Sequence, residues 1–363
     1  MDVKRVLFMS KGDGEQSYAQ TSTYTQKVAS VTKPKIASTV GSLLEEDFFP
    51  CELLNVADLG CASGPSTVTF MSTVLESVQK KCARLNCPQP EFQFYLNDLP
   101  GNDFNTLFKS LSSFSQSYES LSCFIMGVPG SFHGRLFPRN CVHLAHSSYS
   151  VHWLSQAPSL MSEEGFPLNK GRISISKASP DLVKKAYLDQ FRADLSAFLK
   201  SRCEEMVDNG RLVLVLHGRK EEDFASLDSL DMWGKLGEAI ADLVSEGLVE
   251  EEKLDTLNVP YYMASSEEVQ GTVDEEGSFQ IEHMEMFEVD AGGTAPDEDP
   301  RSRGRKTAKH ARSYTGSVIS HHLGEEVMDK LYGEKLPIIL GDDLAKGRRM
   351  GVSIIVVLKK HVP

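Results

Sequence analysis

Short apolar runs alternate along this chain with longer stretches whose hydrophobic positions recur at helical spacing. By length and apolar density, Leu53 to Leu59, Phe92 to Leu96, Ser122 to Gly127, Arg172 to Ser176, Arg211 to His217 and Val352 to Leu358 predict strands. Between the first two, Thr67 to Ala83 sets Val68, Met71, Val74, Leu75 and Val78 on one face of a helix. Strand, helix and strand in series predict an α/β fold, a mostly parallel sheet with helices on both faces. Two further helices, Met232 to Leu248 and Glu267 to Val273, follow without an intervening strand and are assigned to a cap. The stretch Ala291 to Pro300, with Arg301 to Lys306 after it, carries turn residues and dense charge without periodicity, and predicts a mobile loop in that cap.

Composition narrows the function more than the fold. A chain of 363 residues, 40% hydrophobic and 25% charged, suits one principal domain with a substantial insertion or cap. A formal net charge of -13 argues against nucleic acid as a partner, because phosphate recognition needs a basic surface to displace counterions. The start, Met1 to Leu7, lacks the apolar segment of a secretory signal, and no run approaches membrane-spanning length. Seven cysteines, an odd number without a close CxxC pair, suit reduced thiols in the cytosol and point away from zinc.

The candidate chemistry lies at the strand ends. Asn55 to Pro65 is an apolar strand that ends in Asp58, followed by a turn with Gly60 and Gly64 and then a helix. Ligands of open parallel sheets bind beyond the carboxyl ends of the strands. The turn lacks the GxGxxG spacing of a pyrophosphate site, and Asp58 suits a cationic amino-acid moiety better than phosphate. The second strand ends in Asp98 and Leu99, placed to accept from ribose hydroxyls and to pack beside an adenine. After the third, Ser131 and Phe132 offer a hydroxyl and a ring for the edge and face of that base. Acid, acid and polar-aromatic pair, in that order, point to S-adenosylmethionine, although each signal alone is also an ordinary turn or helix cap.

Lys11 to Tyr18, Asp58 to Pro65, Leu96 to Asn105 and Gly127 to Arg139 closely resemble the plant SABATH methyltransferases, which include salicylate, benzoate and jasmonate carboxyl methyltransferases and the caffeine-pathway N-methyltransferases. The resemblance runs the length of the chain. It implies a Rossmann-like class I methyltransferase core over residues 1–363, with a helical cap drawn mainly from about 1–30, 220–275 and 288–335, usually as a homodimer. Carried over by position, Tyr18, Asp58, Cys61, Asp98, Leu99, Ser131 and Phe132 would contact S-adenosylmethionine or its product S-adenosylhomocysteine. Ser66 stands where the family usually has asparagine, which weakens a contact there, and Ser147 with Ser148 resembles a further cofactor-facing stretch.

Tyr149, His152 and Trp153 repeat the spacing of the caffeine-synthase branch, whereas salicylate-type enzymes tend to carry methionine at the position of His152. The three are expected to orient a planar aromatic substrate, His152 by hydrogen bonding a ring carbonyl or nitrogen or by taking a proton. Thr25 replaces the glutamine with which the family's carboxyl methyltransferases grip a carboxylate. Trp233 resembles the cap tryptophan that closes the pocket, Tyr314 and Met284 to Phe287 are expected on its far side, and Ala311 leaves room for a bicyclic ring. A methylxanthine acceptor is therefore expected, with a benzoate-like acid, nicotinate or a non-catalytic binding role as alternatives. The resemblance also places a magnesium ion near Asn169, Asp255 and Asn258, a poor set for an ion that prefers carboxylates and its own waters.

Overall fold

In the computed structural model, which describes residues 2–46, 48–220, 231–291 and 298–361, apolar alternation along each strand dictates the layering. Seven strands, β1 (Leu53–Leu59), β2 (Glu91–Asp98), β3 (Cys123–Pro129), β4 (Val142–Ser148), β5 (Met206–His217), β6 (Phe279–Asp290) and β7 (Met350–Lys360), form one sheet in the order β3-β2-β1-β4-β5-β7-β6. The first five are parallel, and β7 runs antiparallel to both β5 and β6. On β5, Val213 and Val215 enter one core while Leu212, Leu214 and Leu216 enter another, because successive side chains point to opposite faces. The first core is closed by helices Thr23–Leu43, Ser66–Leu85 and Phe104–Ser117. The second is closed by helices Asp181–Glu205 and Ser266–Glu276.

A third core sits where the parallel strands end. It joins helices Val3–Val6, Met232–Ser245, Pro300–Leu323 and Leu336–Ala345 to Trp153 and Leu99, which follow β4 and β2. The crevice between this core and the sheet is where the functional side chains converge. Among the described residues no helix is long and apolar enough to cross a membrane.

Several elements differ from expectation. Arg172 to Ser176 is irregular, not a strand: Ile173 packs into the third core and Ile175 into the second, so the apolar alternation marks a segment threading between two cores. Strand β4 was not anticipated because inward-facing His146 and Ser147 interrupt its apolar run. Strand β6, with Met284 to Phe287 inside it, is an edge strand studded with acids and is not part of a cap. Helix Ser266–Glu276 packs on the sheet through Val269 and Val273, again not in a cap. Arg301 to Lys306 is helical, because Asp299 accepts from the Ser302 N–H and Pro300 opens the first turn. Residues 292–297 of the loop expected there lie outside the described residues.

Leu214 is fully buried at the centre of the sheet. Leu214→Ala should lower the unfolding free energy by about 2–5 kcal/mol in urea denaturation, and a loss below about 1 kcal/mol would contradict this packing.

Candidate active site

Two turns meet at the end of β1 and β2. Gly60 has φ +78°, and a Cβ there would overlap the Ser150 hydroxyl, so only glycine fits. The N–H groups of Gly60 and Cys61 donate to the Asn97 carbonyl at 2.8 and 2.9 Å. Asp98 then ties the turns together: Oδ2 accepts from the Ala62 N–H and Oδ1 from the Leu99 N–H, each at 2.7 Å. Burial raises the Asp98 carboxyl to about 6, against those two donors and with help from nearby Asp58. Asp58, also buried, accepts from the Thr67 hydroxyl at 2.7 Å and pairs with His146 Nδ1 at 2.8 Å.

A cavity of about 700 Å³ opens over these turns, lined by Asp98, Leu99, Ser131 and Phe132 with Phe8 and Leu7 from the N-terminal segment. A smaller chamber shares Tyr18, Gly60, Ala62 and Ser148 with it and reaches Asp58, Cys61, Gly64 and Ser66. The Ser66 hydroxyl there is buried without a partner. Ser147 does not face either space, contrary to expectation: its hydroxyl donates to the Leu59 carbonyl at 2.8 Å, and the strand alternation turns Ser148 to the cavity instead.

A second cavity, of about 730 Å³, adjoins the first through four shared residues, Met9, Tyr18, Tyr149 and Trp153. Tyr149 has φ +56°, an uncommon backbone state for a bulky side chain, and its phenol lies 2.9 Å from Tyr24 Oη and 2.8 Å from Ser353 Oγ. His152 Nδ1 accepts from the backbone N–H of His217 at 3.1 Å. Burial, then the neighbouring His217, holds the His152 imidazole well below its ordinary range, so the ring is neutral with its proton on Nε2. That fixes His152 as a donor toward the cavity and removes the proton-accepting role considered for it.

Trp153 meets Tyr261 edge-on at 4.9 Å between ring centroids. Trp233 stands behind it, edge-on at 5.9 Å, and does not line the cavity as expected; its neighbour Met232 does. Tyr314 faces the cavity, as does Thr25, whose hydroxyl donates to the Ser22 carbonyl at 3.0 Å. Ala311 is buried in the third core, one helical step away from the wall made by Thr307, His310 and Tyr314.

A cavity with a buried carboxylate thus adjoins an aromatic one over a glycine turn. The family model described as SAM dependent carboxyl methyltransferase matches residues 4–361. The chain belongs to this SABATH methyltransferase family. Its relatives include probable caffeine synthase 4 of Camellia sinensis, 52% identical over 100% of both chains. The 7-methylxanthine methyltransferase PCS1 of Camellia ptilophylla is 53% identical over 99% of each. Among solved structures, a loganic acid methyltransferase with SAH superposes with a TM-score of 0.84 at 31% identity, covering 98% of this chain and 99% of that one. The protein is thus an S-adenosylmethionine-dependent methyltransferase with the class I fold.

The lining of the second cavity that the sequence reading did not assign includes Tyr261, His217 and His310. His217 Nδ1 lies 2.7 Å from the Tyr261 hydroxyl, and burial pushes both His217 and His310 down to about 4. They lie far from Tyr149 in sequence on a β5 end, a connecting loop and a cap helix, so no local motif signals them. The expected magnesium residues do not fit that ion. Asn169 Oδ1 accepts from the Ser179 hydroxyl at 2.9 Å, and Asp255 Oδ1 accepts from the Gly171 N–H at 2.7 Å with Lys170 Nζ 3.6 Å from its other oxygen. Only the buried Asn258 Oδ1 lacks a partner, which is no octahedral oxygen set.

The hydrogen bond from His217 fixes one tautomer of His152. Nitrogen-15 NMR should show its Nδ1 bare and Nε2 protonated, with no titration between about pH 8 and pH 6. A proton on Nδ1, or a titration in that range, would overturn this arrangement.

Proposed function

We propose that this methyltransferase moves a methyl group from S-adenosylmethionine to a ring nitrogen of a methylxanthine: the N–CH3 bond forms as the S–CH3 bond breaks, S-adenosylhomocysteine leaves, and the proton of the ring N–H passes to solvent. The supporting observation is the character of the acceptor cavity: its described lining contains no Lys or Arg, and its three histidines are all held neutral by burial. A neutral, planar heterocycle with carbonyl and nitrogen edges suits such a wall. A carboxylate would be desolvated there with no Lys or Arg of the lining to pair with it. The names of the relatives, 7-methylxanthine methyltransferase and 3,7-dimethylxanthine N-methyltransferase, agree with this reading.

S-adenosylmethionine supplies an electrophilic methyl carbon on a sulfonium sulfur. The first cavity and its smaller chamber fit it: the Gly60 cradle admits no Cβ, and the orphaned Ser66 hydroxyl awaits a polar partner. In this reading Asp98 accepts from the ribose hydroxyls, Leu99, Ser131 and Phe132 surround the adenine, and Tyr18, Asp58, Cys61 and Ser66 enclose the amino-acid end. Asp58 does so while also fixing Thr67 and His146.

Tyr149 and Trp153, shared by both cavities, flank the acceptor ring at the point of transfer. His152 donates its Nε2 proton to a ring carbonyl, while Thr25 and Tyr314 close the sides. Trp233 acts indirectly, holding Trp153 upright. The residues' main contribution is alignment and exclusion of water, and near-attack positioning of this kind lowers a barrier by about 7–11 kcal/mol.

Transfer assays with labelled S-adenosylmethionine should give turnover with 7-methylxanthine or 3,7-dimethylxanthine and little with salicylate, benzoate or nicotinate. Turnover of the acids alone would defeat the purine assignment. His152→Met should cut xanthine kcat/KM by about tenfold or more through loss of the oriented donor, and an unchanged ratio of xanthine to acid turnover would show that His152 does not choose the acceptor.

Cofactor affinity should also depend on pH in a stated direction. Ribose hydroxyls bind the ionised Asp98, so affinity is level above about 6 and falls as the carboxyl takes up a proton below it. Asp98→Asn should weaken S-adenosylhomocysteine binding by about tenfold and flatten that slope in calorimetry. A slope that survives the substitution belongs to another group.

A further inference from the structure

Helix Asp181–Glu205 ends in three residues on one face, Phe198, Arg202 and Glu205, spaced by four and three positions. None of them lines either of the two cavities described above, yet all three are turned toward the loop after β3 that carries Ser131 and Phe132. Arg202 is 1% exposed and Glu205 is fully buried. Arg202 Nε donates to Glu205 Oε2 at 2.7 Å, while Nη1 donates to the Phe132 carbonyl at 2.7 Å and Nη2 to the Gly134 carbonyl at 2.9 Å. On the other side, Glu205 Oε1 accepts from the N–H of Phe137 at 3.0 Å and from that of Leu136. Phe198 completes the contact, meeting the Phe132 ring edge-on at 5.7 Å with the Arg202 guanidinium 5.1 Å from its own centroid.

A dry ion pair is a poor source of net stability, because desolvation consumes most of its attraction. What this pair gains is geometry: a rigid guanidinium fork and a carboxylate fix four backbone groups across six residues of loop. We propose that Arg202 and Glu205 are positioning residues for the cofactor, setting the height and tilt of the Phe132 ring and the Ser131 hydroxyl against the adenosine. The pair touches no ligand itself. It acts through the loop, and the inference rests on adenosine lying in the first cavity.

The neighbouring Glu204 supplies a contrast. It bonds the outer side of the same loop through Arg135 at 3.0 Å and Arg139 at 3.4 Å, but it is half exposed, where such pairs hold little. The inner pair should therefore control cofactor affinity and the outer one should not.

The test uses the full chain, with S-adenosylhomocysteine in calorimetry and both substrates in steady-state kinetics. Arg202→Lys keeps the charge opposite Glu205 but cannot span two carbonyls, and it should weaken S-adenosylhomocysteine by about tenfold and raise the S-adenosylmethionine KM equally, with the acceptor KM within about twofold of wild type. The double variant Arg202→Met with Glu205→Met removes both charges at once and should fold with the same cofactor defect. Glu204→Gln should bind the cofactor normally. If folded Arg202→Lys or the double variant binds S-adenosylhomocysteine within about twofold of wild type, the pair is only structural and the proposal fails. Failure of both variants to fold also overturns it. Should Asp98→Asn bind normally as well, the error lies in placing adenosine in that cavity; if Asp98→Asn alone is impaired, it lies in the pair.

Discussion

The carboxylate of Asp98 is the constraint on which the ligand-facing surface depends. One oxygen holds the turn leaving β1 and the other holds its own turn leaving β2, so two adjacent strand ends become a single rigid ledge. The tie has a cost, visible in a carboxyl lifted to about 6 by its surroundings. Two charge-assisted bonds from backbone donors offset it, each worth roughly twice a neutral hydrogen bond. Asp58, on β1 opposite Leu96, takes the complementary task of securing Thr67 on the following helix and His146 on β4. Together the two acids lock β1 to both of its neighbours just where the sheet gives way to loops.

The second cavity follows the opposite logic. It has aromatic faces, imidazoles kept uncharged and hydroxyls already engaged with one another, with few polar atoms left to address a guest. A wall of that kind discriminates by shape and by the few directed bonds it retains. A carbonyl that meets the His152 donor is satisfied, whereas a group that finds no partner in the same place forfeits its hydration.

How much of this was legible in the residues alone depends on how local the cause is. Strands β1 and β5 and the helix after β1 declare themselves through contiguous apolar pattern, and the acids and glycines of the turns sit within one short motif. Strand β4 escaped because its inward positions carry His146 and Ser147, whose polar atoms are satisfied only by Asp58 and the Leu59 carbonyl across the strand gap. Of the pair Ser147 and Ser148 only the second faces the cavity, because a strand changes face with each residue, and single-residue register is what a motif carried over by position fixes least. Arg172 to Ser176 mimicked a strand since two cores, not two faces of a sheet, receive Ile173 and Ile175. Trp233 was assigned to the cavity when its indole supports another indole, and His217, Tyr261 and His310 reach the chamber only through tertiary folding.

Tyr149 joins the beginning and end of the chain at the centre of the molecule. Its phenol oxygen meets Tyr24 from the first long helix and Ser353 from β7, which lies 204 positions further along. The Asp98 ledge is closed by segments within the first hundred or so residues, a short loop to close. The second cavity instead draws its lining from Met9 to Gly351. Its wall includes Gly351, and Ser353 braces Tyr149, so the second cavity is complete only once the last strand lies between β5 and β6.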